Sequence, residues 1–536
     1  MSTLDASDSG ESVSVWMGDD VPDVPGVLPE TADTDVCVIG AGIAGLSTAY
    51  ELLLRGFRVI VVDDGPVGGG ETARTTAHLS NALDDRFVHL ARLHGEEGAR
   101  LAAESHAHAI TRIETIAAAE GIECDLRRVR GYLMQKAGDN PKDLVVELTA
   151  ARRAGLSGAQ LIERAPIPGF DTGPALMFPD QAELNPMAYL AGLARAVRRR
   201  GGAIINDLHV ERVDDGAYPR VFSSDGRAIS ASFVVVATNA PITSLAELPL
   251  KQAAYRSYAI ALSVPTGSIP RALYWDTEDP YHYARVANDP KTGVELLIVG
   301  GEDHKTGQDK DGPTARFERL LYWTRERFPV AGEVVASWSG QILEPIDGLA
   351  FIGLGPGNAN VYVITGDSGH GLTHGVIGSI VCSDLITGRP NPWAPLYDPS
   401  RRTLRAIGAF LKEGANTAAQ YAEWLTPGDG NVADIPSHSG AIIRRGASKL
   451  AVYRDNDGAC HERSAICPHL GGIVSWNEAE KTWDCPCHGS RFDAYGRVIA
   501  GPAVDDLKNL DTPSSRDDVV PESGGRVTNP WFRREA

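Results

Sequence analysis

The apolar positions of the chain form their clearest pattern between residues 35 and 64. The run DVCVIG at 35–40 is short, apolar and ends in glycine, which is typical of a buried parallel strand. Residues 44–56 repeat apolar side chains at helical spacing and end at Gly56, and FRVIVVDD at 57–64 has the pattern of a second buried strand. The pattern therefore predicts a strand–helix–strand unit.

Helical and strand-type patterns alternate through the rest of the chain. Helical periodicity occurs at 86–120, 186–200 and 401–424. Strand-type runs occur at 202–215 and 231–241, alternate with turns over 250–350, and at 360–388 lead through a glycine-rich turn into a helix. The loop TPGDGNVADIPSHSG at 426–440 precedes several short β-type runs, and we place a domain boundary there.

These patterns divide the chain into two folded parts with flanking segments. We predict an α/β domain at 33–400, with its substrate part at roughly 241–350, then a helical connector and linker at 401–436 and an all-β domain at 437–510. Acidic residues 1–32, rich in Ser, Pro and Gly, predict a disordered leader, and 511–536 form a polar tail.

Charge and cysteine content narrow the function classes. A net charge of −19 disfavours nucleic acid and anionic membrane surfaces as partners. No apolar run reaches the roughly 18 residues that a transmembrane helix needs, and the acidic N-terminus lacks the features of a signal peptide. Seven cysteines, an odd number, argue against a disulfide framework. We therefore expect a cytoplasmic protein with reduced thiols.

The glycines after the first strand have the spacing of a dinucleotide-binding turn. Gly40, Gly42 and Gly45 form GxGxxG between a strand and a helix, and Asp63 follows 23 residues after Gly40. The glycines permit a tight turn and close approach of a pyrophosphate to the helix N-terminus, while the acid accepts hydrogen bonds from a ribose. An ordinary β–α turn is the alternative interpretation, and the motif alone does not distinguish FAD from NAD.

The number of such units bears on the source of electrons. Flavoprotein reductases that use NAD(P)H need two dinucleotide sites, and we find one strand–GxGxxG–helix unit. The glycines of GLGPGN at 353–358 precede a strand instead of following one. Electrons are therefore expected to come from an organic substrate.

A second chemical motif lies at 467–492, which contains three of the seven cysteines. The candidate metal ligands are Cys467, His469, Cys485 and His488, with fifteen residues between the two pairs. Zinc fingers usually place Cys-Cys before His-His or use four Cys, whereas here each loop provides one Cys and one His. A Rieske [2Fe–2S] cluster requires this order, because two thiolates hold one iron and two imidazoles the other. Zinc is the alternative.

Three segments of the first domain resemble the D-amino acid oxidase/glycine oxidase (DAO) superfamily of FAD-dependent oxidoreductases: 40–63, ARTTAHLS at 73–80, and VYVITGDSGHGLTHG at 361–375. The resemblance covers roughly 34–390 and implies a Rossmann-like FAD-binding domain with an inserted antiparallel-β substrate domain. By this resemblance, different residues of the domain hold the ADP half of FAD, line the pyrophosphate or flavin, flank the adenine, and approach the flavin ring and ribityl chain. The FAD-binding residues it implies are Gly40, Ala41, Gly42, Ile43, Ala44, Gly45, Asp63, Asp64, Arg74, Thr75, Thr76, Val210, Gly366, Asp367, Gly371, Leu372 and Thr373.

The segments CPHLGG, CPCHGSRF and GRVIAGPA resemble a Rieske domain over about 437–510. Rieske proteins of cytochrome bc complexes join a Cys of each loop by a disulfide; Cys487 matches one position, but Gly472 occupies the other. Those proteins also carry a Tyr that donates to a ligand sulfur, where this chain has Phe492. Because such donors stabilise the reduced cluster, we predict a potential in the lower part of the Rieske range of roughly −150 to +300 mV.

The two resemblances together imply oxidation of a C–N bond of an amine or amino acid by hydride transfer to FAD. Electrons then leave through the [2Fe–2S] cluster to an external acceptor, which could be a carrier protein, a quinone or O2. Two alternatives stay open: an NAD(P)H-linked electron-transfer reductase and a redox-sensing regulatory protein. We assign no general base, and the candidates for substrate contacts are Tyr281, Tyr283 and Arg285 on one strand face, His304 on a turn, and His370 and His374 near the flavin turn.

Overall fold

The structure is a computed structural model that describes residues 9–18, 28–242 and 248–510. The helices of these residues are α1 (Ile43–Leu54), α2 (Phe87–Glu120), α3 (Pro141–Arg153), α4 (Pro186–Arg199), α5 (Pro313–Arg327), α6 (Gly371–Ile386), α7 (Ala394–Tyr397) and α8 (Ile407–Gln420). Short 3-10 helices lie at Glu71–Arg74, Pro249–Lys251, Leu404–Ala406, Tyr421–Leu425 and Val432–Asp434.

The strands are β1 (Thr31–Ile39), β2 (Val59–Val62), β3 (His78–Leu79), β4 (Arg127–Met134), β5 (Gln160–Ile162), β6 (Ala175–Glu183), β7 (Ala203–Ile205), β8 (Val210–Asp214), β9 (Arg220–Ser223), β10 (Ala228–Val236), β11 (Gln252–Ser263), β12 (Ala272–Asp276), β13 (His282–Asn288), β14 (Glu295–Lys305), β15 (Val334–Pro345), β16 (Phe351–Leu354), β17 (Val361–Thr365), β18 (Ser439–Arg445), β19 (Ser448–Arg454), β20 (Cys460–Ser464), β21 (Ser475–Asn477), β22 (Thr482–Asp484), β23 (Arg491–Phe492) and β24 (Val498–Ala500).

The first sheet carries the predicted strand–helix–strand unit at its centre. Its order is β16-β17-β10-β1-β2-β7, and every pair from β17 to β7 is parallel. Gly40 takes a φ of 108° at the end of β1, and a Cβ built on Gly45 would lie 1.8 Å from the carbonyl oxygen of Gly40. Glycine is therefore required at both positions for α1 to pack against β1.

The second sheet of the larger domain has the order β15-β11-β14-β13-β12-β4-β6-β3. Its pairs are antiparallel except β12 with β4. The sequence placed the substrate part at 241–350, and β11–β15 lie there. Strands β3, β4, β5 and β6, from residues 78–183, complete the same sheet, because the chain crosses between the two sheets more than once.

The residues after the connector form two small antiparallel sheets, β18-β19-β20 and β21-β22-β23-β24. Their shared core includes Trp483, Phe492, Cys467 and Cys485, all buried. The predicted order, an α/β domain followed by an all-β domain, is confirmed. Within the part of the chain that the structure describes, no helix has both the length and the apolarity needed to cross a membrane.

Residues 9–18 differ from the disordered leader that the sequence predicted. Trp16 is buried, and its indole Nε1 donates to the carbonyl of Thr75 at 2.7 Å. Ser12 Oγ donates to Glu480 Oε1 at 2.6 Å, so this segment contacts both domains. Composition misled here because the partners lie far away along the chain. The rest of the predicted leader before 28, and the tail at 511–536, lie outside the described residues.

Candidate active site

A deep cavity opens at the carboxyl ends of β1, β2, β10 and β17. Its walls include Gly40 and Gly42 after β1, Asp63 after β2, Thr238 after β10 and Asp367 after β17. In open parallel sheets this edge is where ligands bind, because the strand order reverses there and helix N-termini face the opening. Helix α1 begins at this edge after Gly42, which offers no side-chain cap, and the N–H of Ile43 donates to Thr72 Oγ1 at 3.2 Å. The positive end of the helix dipole at this terminus favours an anion. The cavity and helix terminus fit the pyrophosphate of FAD.

The cavity brings together residues that the sequence assigned to FAD. Those that line it are Gly40, Gly42, Ile43, Ala44, Asp63, Asp64, Arg74, Thr75, Thr76, Val210, Asp367, Gly371 and Leu372. Four of the expected residues do not face it: Ala41, Gly45, Gly366 and Thr373. Gly45 packs on the backbone of Gly40, and Thr373 Oγ1 lies 2.9 Å from His106 Nδ1.

Carboxylates and one charged imidazole mark the end of the cavity beside β2. Asp63 Oδ2 accepts a hydrogen bond from the N–H of Ala41, and its Oδ1 accepts from that of Gly65 at 3.1 Å. His209 Nδ1 lies 3.5 Å from Asp64 Oδ2, and the hydrogen bond that the imidazole donates to Asp64 raises the pKa of His209 to about 9. His209 therefore carries its charge at neutral pH, next to Val210.

Arg74 lines the cavity, but its guanidinium forms an ion pair with Glu480 of the all-β domain. Its guanidinium NH1 lies 3.0 Å from Glu480 Oε2, and both side chains are fully buried. The same NH1 donates to Ser12 Oγ and to the carbonyl of Ser339, each at 2.8 Å. Arg74 therefore neutralises a carboxylate of the all-β domain.

The other end of the cavity is aromatic. Trp275, Tyr281, Tyr283 and Trp338 line it, and Tyr283 Oη lies 2.9 Å from Ser257 Oγ. Burial raises the pKa of both tyrosines, so their hydroxyls stay protonated at neutral pH. The end of the cavity that these rings enclose suits the apolar part of a substrate, with the tyrosine hydroxyls available as hydrogen-bonding groups.

Three histidines near the glycine-rich turn are neutral. His374 Nε2 lies 3.2 Å from His106 Nε2, and its Nδ1 lies 2.8 Å from the carbonyl oxygen of Asp367. Burial lowers the pKa of His374 to about 3 and also lowers that of His106 and His370. The N–H of Asp84 donates to His370 Nε2 at 3.1 Å. His370 and His374 line the cavity as neutral, hydrogen-bonded rings.

Two of the substrate-contact candidates lie outside the cavity lining. Arg285 lies on the same face of β13 as Tyr283, but its Nε donates to Thr76 O at 2.6 Å and its NH2 to Leu184 O at 2.8 Å. The guanidinium of Arg285 is used by buried backbone carbonyls, so Arg285 does not line the cavity although it shares a strand face with Tyr283. His304 lies 3.1 Å from Tyr258 Oη, and burial lowers its pKa to about 4.

Buried carboxyls beside the aromatic end were not found from the sequence. Burial, with a smaller contribution from neighbouring carboxylates, raises the pKa of Asp303 to about 7 and that of Glu344 to about 8. Both side-chain oxygens of Asp303 are buried and lack a hydrogen-bond partner. Isolated acids on β14 and β15 carry no sequence signal, because only the sheet pairing brings them together.

The candidate cluster loops in the all-β domain share one backbone geometry. The N–H of Cys467 donates to the carbonyl of Gly472 at 2.8 Å, and that of Cys485 donates to Ser490 at 2.8 Å. Gly471 and Gly489 donate back to the carbonyls of these two cysteines, and both glycines have φ near +80°. Each loop is thus the same tight turn, which the prolines and glycines of the two loops favour.

The four predicted ligands meet between these loops. The imidazoles of His469 and His488 have ring centroids 5.1 Å apart, and neither ring nitrogen of His488 has a hydrogen-bond partner. Cys467 and Cys485 lie within hydrogen-bond range of each other. Two thiols and two imidazoles on paired loops, with buried nitrogens unsatisfied, fit a cluster that has a thiolate end and an imidazole end.

Cys487 stands where a loop-to-loop disulfide would form. A Cβ built on Gly472 would lie 2.6 Å from Cys487 Sγ. All seven cysteines of the chain are free. Gly472 therefore occupies, in space as well as in sequence, the position where the second cysteine of a loop-to-loop disulfide would stand.

The cavity and the second cluster loop share a wall residue, Gln341. It lines the cavity, and its Nε2 donates to the carbonyl of Gly489 at 3.0 Å. Gly489 also packs on Ala254, since a Cβ at 489 would lie 2.3 Å from the Cβ of Ala254. Gln308 Nε2 donates to Pro486 O at 3.1 Å beside it. Sequence reasoning missed Gln341, which belongs to no motif.

Comparisons with known proteins agree with this geometry. The model of the DAO family, described as FAD dependent oxidoreductase, matches residues 35–383, and the Rieske [2Fe-2S] domain model matches 429–511. A Bacillus subtilis (strain 168) protein, YhfW, whose name describes a Rieske 2Fe-2S iron-sulfur protein, is 32% identical over 92% of this chain and 96% of its own length.

Solved structures show the same fold for the larger domain. Glycine oxidase from Geobacillus kaustophilus aligns with a TM-score of 0.58 at 21% identity, over 69% of this chain and 99% of its own. L-proline dehydrogenase from P. horikoshii aligns with a TM-score of 0.58 at 18% identity, over 70% of this chain and 98% of its own. With its matching family models, cavity and cluster loops, the chain belongs to the DAO family of FAD-dependent oxidoreductases and carries a C-terminal Rieske domain, with FAD and a [2Fe–2S] cluster as cofactors.

Proposed function

We propose that the chain oxidises a C–N bond of an amine or amino acid and passes the electrons through its Rieske cluster to an external acceptor. The observation that carries this proposal is Gln341, which lines the cavity and donates a hydrogen bond to the second cluster loop at Gly489. A single side chain therefore contacts both the cavity and a cluster loop. The solved structures of similar fold include a glycine oxidase and an L-proline dehydrogenase, which supports a C–N substrate.

The overall reaction balances with a two-electron acceptor. The substrate C–N bond loses two electrons and two protons to give an imine, and water hydrolyses the imine to a carbonyl compound and a free amine. When bound, FAD accepts the electron pair, and a [2Fe–2S] cluster carries electrons one at a time. Two such transfers to the external acceptor complete a turnover.

The charges of the cavity favour a cationic amine over an amino acid. Of the described residues that line it, the positively charged ones are Arg74 and His209, which pair with Glu480 and Asp64. The acids that line it are Asp63, Asp64, Glu71, Asp84 and Asp367. Because Arg285 donates to backbone carbonyls and does not line the cavity, a substrate carboxylate would meet acids without a compensating arginine. An ammonium group suits these walls better.

The test is anaerobic mixing of the holoenzyme with a panel of amines, amino acids and NADH, followed by flavin absorbance and cluster EPR. We expect amines to bleach the flavin and to produce the signal of the reduced cluster, while NADH does neither. Rapid bleaching by NADH alone, or no bleaching by any amine or amino acid, would contradict the proposal.

The electron route is tested with Cys467→Ser, which removes a cluster ligand. Flavin bleaching by the substrate should persist, whereas dye-linked turnover should fall at least about tenfold, because the outlet for electrons is lost. Cys460→Ser is the matched control, since Cys460 is an exposed cysteine of the same domain. Unchanged dye-linked turnover in Cys467→Ser would show that electrons leave by another route.

A further inference from the structure

A segment of the Rieske domain reaches into the FAD cavity. Residues Val498, Ile499, Ala500, Gly501 and Ala503 line the cavity together with residues of the larger domain. They comprise β24, which is the last strand of its sheet, and the turn that follows it. The wall of the cavity is therefore built by both domains.

Close contacts fix this segment against the larger domain. A Cβ built on Gly501 would lie 3.1 Å from Ile242 Cγ2 and 3.4 Å from the carbonyl oxygen of Ala240, and both of these residues line the cavity. Side chains larger than glycine would separate the two surfaces. The small residues of the turn thus let the domain approach the cavity directly.

A hydrogen bond joins the segment to the adenosine end. His209 Nε2 lies 2.9 Å from the carbonyl oxygen of Val504, and its Nδ1 lies 3.5 Å from Asp64 Oδ2. The protonated imidazole donates to both groups. Val210, the next residue, lines the cavity where the family resemblance places the adenine.

We propose that residues 498–503 of the Rieske domain form part of the FAD-binding site at its adenosine end, so that FAD retention depends on this domain. The segment supplies apolar and small side chains, which suit the face of an adenine ring. The proposal concerns binding of the cofactor, and it holds whatever substrate the enzyme oxidises.

The segment also contacts the second cluster loop. The N–H of Ala503 donates to Ser490 Oγ at 3.0 Å, and Ser490 accepts through its carbonyl from the N–H of the ligand Cys485. Two hydrogen bonds therefore connect the wall of the FAD cavity to a cluster ligand. We therefore expect the binding of FAD in the cavity to affect the cluster.

The test compares FAD release from the holoenzyme of Ile499→Asp with that of the parent, followed by the rise in FAD fluorescence on dilution. An unpaired carboxylate in an apolar wall should weaken FAD binding at least about tenfold while the EPR signal of the cluster is retained. Leu510→Asp is the control, because Leu510 is exposed in the same domain and does not line the cavity. It should retain FAD like the parent.

Ile499→Ala tests the same proposal if Ile499→Asp fails to fold or loses its cluster. This smaller change removes apolar contact without adding charge, and it should weaken FAD binding roughly threefold. Equal FAD retention by Ile499→Ala and the parent, with both cofactors present at the start, would overturn the proposal. So would Ile499→Asp that binds both cofactors as tightly as the parent does.

Discussion

Two single residues set the surroundings of the cluster. Gly472 occupies the position from which a side chain would meet Cys487 Sγ, so no disulfide joins the two loops, and each loop is closed by its own backbone hydrogen bonds. Phe492 is fully buried in the same core as Cys467 and Cys485, and it brings no hydroxyl group to that core. Both features leave the ligand sulfurs with fewer stabilising contacts.

Phe492→Tyr should therefore raise the reduction potential of the cluster. A hydroxyl that donates to a ligand sulfur stabilises the reduced state, and one such bond of about 1 kcal/mol corresponds to about 40 mV for a one-electron couple. The measurement is an EPR-monitored redox titration of the holoenzyme. Phe492→Leu, which adds no donor, should leave the potential nearly unchanged. A parent potential near the top of the Rieske range would refute the explanation.

At the scale of elements, the connector does more than join two domains. The 3-10 helix Tyr421–Leu425, after α8, lies against the first cluster loop. Tyr421 Oη donates to Leu470 O at 2.7 Å, and Trp424 Nε1 donates to Gly471 O at 3.0 Å. These donors satisfy carbonyls that the tight turn leaves without backbone partners. The connector thereby stabilises the loop that holds Cys467 and His469.

Trp424→Phe should weaken retention of the cluster. The substitution leaves the Gly471 carbonyl without its indole donor, at a cost of about 1 kcal/mol. We expect visible absorbance of the cluster to decay several times faster in a chelator or mild denaturant. Trp476→Phe is the control, because Trp476 Nε1 donates to Glu478 instead of a cluster loop. Equal decay in both variants would show that the connector does not stabilise the cluster.

Elements of this kind mark the limit of the sequence-based predictions. Local patterns predicted β1, α1 and β2, because their periodicity and glycines are contained in thirty consecutive residues. The Cys-x-His and Cys-x-x-His motifs likewise predicted both cluster loops from nearby residues. The hydrogen-bond partners of Arg285 were not predictable, since they are the carbonyls of Thr76 and Leu184, which are distant in sequence. The contribution of β3–β6 to the second sheet depends on similarly distant pairing.

At the scale of the whole molecule, a buried ionic network holds the domains together. Glu480 of the Rieske domain lies 3.0 Å from Arg74 NH1 and 3.1 Å from Arg256 NH2, and all three side chains are fully buried. Burial opposes ionisation of Glu480, but the charges of Arg74, Arg256 and Arg491 outweigh it and lower its pKa to about 2. The domain interface therefore contains a permanent charge at neutral pH.

Glu480→Gln should destabilise the folded protein by about 3–5 kcal/mol, because it leaves buried arginines without their counter-ion. Thermal or urea unfolding of the holoenzyme measures this change. Glu478→Gln is the control, since Glu478 is half exposed and pairs with Lys481 near the surface, so its removal should cost under about 1 kcal/mol. Equal stability of the two variants would show that the network does not hold the domains.

The same carboxylate makes the stability of the interface depend on pH, and the stability falls as the pH falls. Its pKa in the folded protein, about 2, lies below the ordinary value of 4.5. The stabilisation is therefore complete above about pH 4.5 and is lost as the pH falls toward 2. In Glu480→Gln this part of the acid-induced loss of stability should be absent.

Residues 9–16 complete this interface, and they do so across almost the full length of the chain. Ser12 bonds to Glu480, which is 468 positions later, and the guanidinium of Arg491 donates to the carbonyl of Ser9 at 2.7 Å. Contacts between such distant positions form late, because the entropy of closing so long a loop must be overcome first. Since Ser9 also lines the cavity, we expect a newly made chain to enclose its nucleotide only after the Rieske domain has emerged and folded.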